Sequence, residues 1–201
     1  RFANCIENCV GPGDHFGAEL ATQHLVDLGH RRIGYINGMQ DWIESENRLA
    51  GYRDVLSRNG IPVDETLVRQ GDWGVESGFQ ATRDLLALAD RPSAIFAAND
   101  IMALGAIYAI QEAGLTGKVF LATSGGGEQT RSCDLVKSGA FDVDFSYDVP
   151  SQAGSMVTMI KWLLQSGVKP GTAKGSIYTT LIPITKEKAS LPGTCWSLGK
   201  S

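Results

Sequence analysis

The chain has 201 residues, 43% of them hydrophobic and 20% charged, with 24 glycines, which is enough apolar material for a core and too balanced a composition for wholesale disorder. Eighteen basic residues against twenty-two acidic ones leave a net charge of −4 with no basic block, which argues against direct nucleic-acid contact by this chain. No apolar run reaches the length of a membrane span, so no membrane insertion is expected.

In chain order, residues 1–13 read as a hinge or lead-in strand, and their opening without Met reads as a matured or excised product. Helix follows over 14–28, where Ala18, Ala21, Leu25 and Leu28 fall on one stripe. Strand is predicted at 31–38, helix at 41–59, strand at 66–71, helix at 74–89, strand at 93–98 and helix at 100–113. The pattern repeats with strand at 118–123, helix at 127–138, strand at 141–147, helix at 151–166 and strand at 175–184. Gly29, Gly60, Gly114 and Gly167 are helix stop signals. Such alternation predicts an α/β fold: a doubly wound, mainly parallel sheet with helices on both faces. In domain terms, 14–147 form a ligand-binding lobe, 148–172 a returning helix segment, and 173–201 a final strand and surface tail.

In such a sheet, ligands sit at the carboxyl ends of the strands. SAIFAAND, at 93–100, runs a buried strand into two polar residues where a helix begins. Asp100 suits a helix cap or site support, accepting backbone N–H groups that the first turn leaves unpaired. Asn99 then stands free at the strand tip, with Trp73 after the second strand and Arg48 near the start of the helix that follows the first. A guanidinium, an indole and an amide at one edge suit a polyhydroxylated ligand, since Arg and Asn bond hydroxyls while the ring packs on sugar C–H groups.

The enzymatic alternative rests on the Gly-rich stretch 124–130, placed to present backbone N–H groups to a phosphate or nucleotide. It lacks the Lys-Ser/Thr of a P-loop, and the dinucleotide fingerprint needs Gly where Thr130 stands. Ser124 has no nucleophile-elbow context, and His15, His24 and His30 accompany no acid motif. No enzyme, cofactor or metal is therefore expected; Cys5 and Cys9 lack the second close pair that a zinc site uses. Four cysteines, Cys5, Cys9, Cys133 and Cys195, permit two disulfides in three connectivities.

HLVDLGHRRIGYING, NRLAGYRDVLSRNGI, GDWGVESGFQATRDLL and PSAIFAANDIMALGAIYAIQEAGL resemble the effector-binding domain of the lactose/galactose repressor family over about residues 14–115. The resemblance implies a sugar ligand, with Arg48, Trp73 and Asn99 where that family contacts it, and dimerisation through lobe surfaces. Past residue 116 the Gly-aromatic-Asp motif of the repressors is missing. FDVDFSYDVPSQAGSMVTMIKWLLQSG and SIYTTLIPITKE are instead similar to extracytoplasmic sugar-binding proteins of ABC importers, which share the fold. That likeness implies Asp148 as a polar hinge residue touching ligand, and a disulfide, Cys133 to Cys195, if the chain matures in an oxidising compartment. The first half points to the cytoplasm, the second to the periplasm. Both families build two-lobed clamshells, so the chain reads as a single-lobe fragment or a chimera. It would then expose the face of a missing complementary lobe, or use it as a homodimer or assembly module without ligand.

Overall fold

A computed structural model describes residues 9–125, 129–169, 175–191 and 194. The elements are β1 (Cys9–Pro12), α1 (Asp14–Asp27), β2 (Ile33–Asn37), α2 (Ile43–Arg58), β3 (Val68–Gln70), α3 (Val75–Leu86), β4 (Ala94–Ala97) and α4 (Asp100–Glu112), then β5 (Phe120–Gly125), α5 (Gln129–Ser138), β6 (Val143–Tyr147), α6 (Val149–Ser166), β7 (Ser176–Thr179), β8 (Leu181–Thr185) and α7 (Lys186–Ala189). The main sheet runs β3-β2-β4-β5-β6-β8, with every pair parallel except the last. Right-handed crossovers outward from β2 to β3 and onward from β4 to β5 put α2 and α4 on opposite faces, and α1 packs with α2 as α3 packs with α4. The predicted doubly wound α/β fold is the observed one.

The strand order reverses between β2 and β4, because the chain steps out to β3 and then returns past β2. All residues of β2 and β4 are buried, as expected of strands covered on both faces. Tyr35, Tyr52 and Phe96 form the aromatic centre of the core, with Tyr35 stacked on Tyr52 at 4.8 Å and edge-on to Phe96 at 5.3 Å. Gly29, Gly60, Gly114 and Gly167 all have positive φ at helix ends, as the stop signals require.

Two readings of the sequence need correction. Leu28 is 52% exposed, because α1 ends at Asp27 and the stripe of Ala18, Ala21 and Leu25 ends with it. The strand predicted at 175–184 is two strands in two sheets: β7 pairs in parallel with β1, while β8 lies antiparallel on the edge of the main sheet beside β6. Pro183 lies opposite Phe145 in that edge strand, where the missing N–H breaks no inner ladder. Among the four cysteines Cys133 is disulfide-bonded; Cys5 and Cys195 lie outside the described residues, and with them the expected Cys133–Cys195 pairing. No described helix is long and apolar enough to cross a membrane.

The α3–α4 contact is close enough to specify residue size. A Cβ at Gly78 would overlap the backbone of Met102, and one at Gly105 would overlap the backbone of Val75 and Phe79. Gly154, within α6, has open space around its missing side chain. Gly78→Ala is therefore expected to lower stability by about 1–3 kcal/mol through overpacking, whereas Gly154→Ala should raise it by up to about 1 kcal/mol through helix propensity. Urea denaturation midpoints of the two variants, moving in opposite directions, check this.

Candidate functional site

The switch between β2 and β4 gathers the polar residues at the carboxyl edge. Asn99 follows β4 and caps α4: its Oδ1 accepts from the Met102 N–H at 2.8 Å. The sequence suggested Asp100 for this role, but Asn99 has the extended backbone of a cap residue while Asp100 is already helical, so only the Asn99 amide reaches the third helical N–H. Asp100 instead turns beneath the edge, where it accepts from Ser132 Oγ at 2.9 Å and Thr123 Oγ1 at 3.4 Å. Of the two roles considered for it, the cap belongs to Asn99.

Trp73, beyond the tip of β3, has φ of 71°, a region that a bulky side chain rarely adopts. The strain is held by Asn99, whose Nδ2 donates to the Trp73 carbonyl at 3.1 Å, and by Gly38, which leaves room for the indole where any Cβ would overlap it. The Trp73 ring lies 6.3 Å from that of Trp42, and its Nε1–H is buried without an acceptor among the described residues.

Arg48 is 5% exposed on α2 and its guanidinium lies 5.4 Å from the centre of the Trp73 ring. Its Nε donates to Asp14 Oδ1 at 2.9 Å and its Nη2 stands 2.7 Å from the same oxygen; further bonds go from Nη1 to the Ala98 carbonyl and from Nη2 to the Tyr147 hydroxyl. Burial opposes the charge on Arg48, yet Tyr147 and Asp14 more than restore it, so the guanidinium is held protonated even more firmly than usual. Burial pushes the Asp14 carboxyl up despite the stabilising Arg48, and likewise raises the Tyr147 phenol. The pair as a whole is neutral.

Arg48, Trp73 and Asn99 thus meet, as the sequence suggested. Asp148 does not reach them by any described bond: it caps α6, accepting from Ser151 N–H at 3.1 Å and from the Ser151 hydroxyl. Sequence reasoning missed Asp14 and Tyr147, the two side chains that hold Arg48. Asp14 could have been noticed as a lone acid opening α1 after Gly13, but its partner lies 34 residues away in the chain. His24 packs against Phe120 and Phe145, and burial lowers its pKa against the opposing charge of Asp27.

Removing one member of a buried ion pair strands the other. Asp14→Ala is therefore expected to cost about 3–5 kcal/mol, and Tyr147→Phe, which takes away one of several partners of Arg48, about 1–2 kcal/mol. Chemical denaturation of the two variants checks the ranking.

Residues 22–116 match the family described as periplasmic binding protein-like domain. The HTH-type transcriptional regulator CelR of Thermobifida fusca is 45% identical over 98 residues, 49% of this chain and 29% of that protein. The lactose operon repressor of Escherichia coli is 45% identical over 100 residues, 49% of this chain and 27% of that one. The chain spans under a third of the length of these relatives. Structural likeness extends further: a CelR–cellobiose complex superposes with a TM-score of 0.75 at 26% identity, over 90% of this chain and 54% of that one. A periplasmic solute binding protein of an ABC transporter from Actinobacillus succinogenes, with bound D-allose, gives 0.76 at 22% identity, over 90% and 63%, a likeness of fold alone. Residues 22–116 therefore match a periplasmic binding protein-like domain, and the described residues have the mainly parallel α/β fold of the type I periplasmic-binding-protein-like structures.

Proposed function

We propose that this chain is a binding lobe for a neutral carbohydrate, serving effector sensing or solute capture, with the ligand taken at the β2/β4 switch by Arg48, Trp73 and Asn99. The observation that carries the reading is the triad itself: a buried guanidinium against an indole held in a strained backbone conformation by the amide of Asn99. Asp14 neutralises Arg48, so the site offers directional donors without net charge, which favours hydroxyls over a carboxylate or phosphate. The unpartnered Trp73 Nε1–H gains an acceptor when a hydroxyl arrives. Asp148 enters this reading through its place beside Tyr147. The names of the matched proteins, regulators and repressors of sugar operons and a sugar-bound transporter component, support a binding role rather than catalysis.

A second reading has its own observation. Helix α6 buries none of its residues, and Met156, Val157, Ile160 and Leu164 are exposed on one face, Leu164 by 79%. An apolar face of that size favours assembly, with a second copy or with a complementary lobe. Sedimentation velocity over a hundredfold concentration range tests it: association that Leu164→Glu abolishes and sugar does not change would make assembly the function.

For the binding reading, Trp fluorescence titrations with D-ribose, D-allose, D-glucose and cellobiose are the direct test. A single lobe leaves one face of the ligand in water, and hydrogen bonds worth about 0.5–1.5 kcal/mol each then give millimolar affinity. Trp73→Ala and Asn99→Ala are expected to remove the response. Arg48→Ala is a poor control, since Arg48 also holds the core together. Affinity unchanged in both variants would place the site elsewhere.

A further inference from the structure

Asp144 is a carboxyl whose two oxygens are buried without a hydrogen bond of good geometry among the described residues. It lies in the middle of the sheet, with Thr123 of β5 and Ile184 of β8 as its register neighbours, and is entirely shielded from solvent. The groups that bear on it are Asp100 from the start of α4, Ser132 of α5, Thr123 of β5 and the apolar Ile184 of β8. On the opposite face of the sheet, α1 sets His24 against Phe145. The charge that acts on Asp144 is that of another acid, Asp100. An ionised carboxylate in such a place would be desolvated and repelled at once, and no described cation stands beside it to compensate.

We propose that Asp144 is a buried proton-binding site, and that loss of its proton loosens the start of α4 from the β5–β6 edge. Burial, with the neighbouring Asp100 second, pushes the Asp144 carboxyl well up; the Ser132 hydroxyl opposes this, but its one hydrogen goes to Asp100 at 2.9 Å. Asp100 is the route to the ligand edge. It follows Asn99 directly, and the Ala98 carbonyl before it accepts from both Arg48 and, at 3.3 Å, the Ser124 hydroxyl. A second negative charge beneath Asp100 displaces the helix start that carries Asn99. This extension to ligand affinity rests on the carbohydrate-binding reading; the proton site does not.

The sign follows from linkage. Between the ordinary aspartate range and the raised one, the folded chain binds a proton that the unfolded chain has released, so stability is greatest in acid and falls as pH rises through the folded-state value. Thermal unfolding of the whole chain from pH 5 to 8 is the experiment, on wild type, Asp144→Asn and Asp144→Val. Wild type should lose about 3 °C or more in Tm relative to both variants over that range, and the variants should be the more stable proteins at pH 8. Asp100→Asn should move the wild-type fall to higher Tm at pH 8 by removing the repelling charge. Parallel pH profiles in wild type and both Asp144 variants would overturn the proposal. So would a rise in wild-type Tm with millimolar Ca²⁺ or Mg²⁺ at pH 7.5 that Asp144→Asn abolishes, since the carboxyls would then be cation ligands. With any sugar that binds, affinity should fall with pH in wild type and stay level in Asp144→Val; if no sugar binds, the stability profiles still decide the proton site.

Discussion

The buried contact of Arg48 with Asp14 is the constraint on which the carboxyl edge of the sheet depends. Four separate pieces of chain converge on one guanidinium: the start of α1 through Asp14, α2 through Arg48 itself, the tip of β4 through the Ala98 carbonyl, and the tip of β6 through Tyr147. A planar group with five fixed donors can satisfy several acceptors at set angles, which a lysine could not do from the same place. Such a pair is a doubtful source of net stability, since removing both charges from water costs about as much as their attraction returns. Its value is geometric. It fixes where two helices and two strands end relative to one another, and leaves a charge-balanced surface against Trp73.

That balance separates two uses of the same side chains. An Arg facing solvent at a strand tip would attract anions of every kind, whereas an Arg already matched by a carboxylate discriminates by direction rather than by charge. Trp73 adds a flat apolar wall, and its left-handed backbone is sustained by the same Asn99 that caps α4. The cap, the strained turn and the amide are therefore one device, and a change in any one of them is felt by the others.

Much of the fold was legible in the sequence because short-range physics writes it there. Aliphatic runs such as AIFA, helix stripes and glycines at positive φ are local signals, and each was found within a few residues of its place. What escaped was set at long range. The cap passed from Asp100 to Asn99 because rotation of the first helical residue, not residue type, decides which oxygen meets the N–H. Asp14 and Tyr147 lie 34 and 99 residues from Arg48, and no periodicity links them. The division of 175–184 between two sheets depends on which edges are vacant, and a run such as SIYTTLIPI looks the same in either. Asp144 was passed over inside a strand that otherwise alternates as expected.

The small sheet of β1 and β7 joins residues far apart in the chain, with Cys9 opposite Ser176 and Pro12 opposite Thr179. Contacts of such separation form slowly, because the loop they close must first surrender its conformational freedom. The strands from β2 to β6, by contrast, are linked by successive short crossovers, and each docks on a strand made before it: β3 and β4 on β2, β5 on β4, β6 on β5. Folding then has an order: the parallel sheet assembles while β1 waits without its partner, and the two strands come together only after α6 has been made. Until β7 is made, the edge of β1 that β7 covers stands open, and an open strand edge is where pairing with the wrong molecule begins.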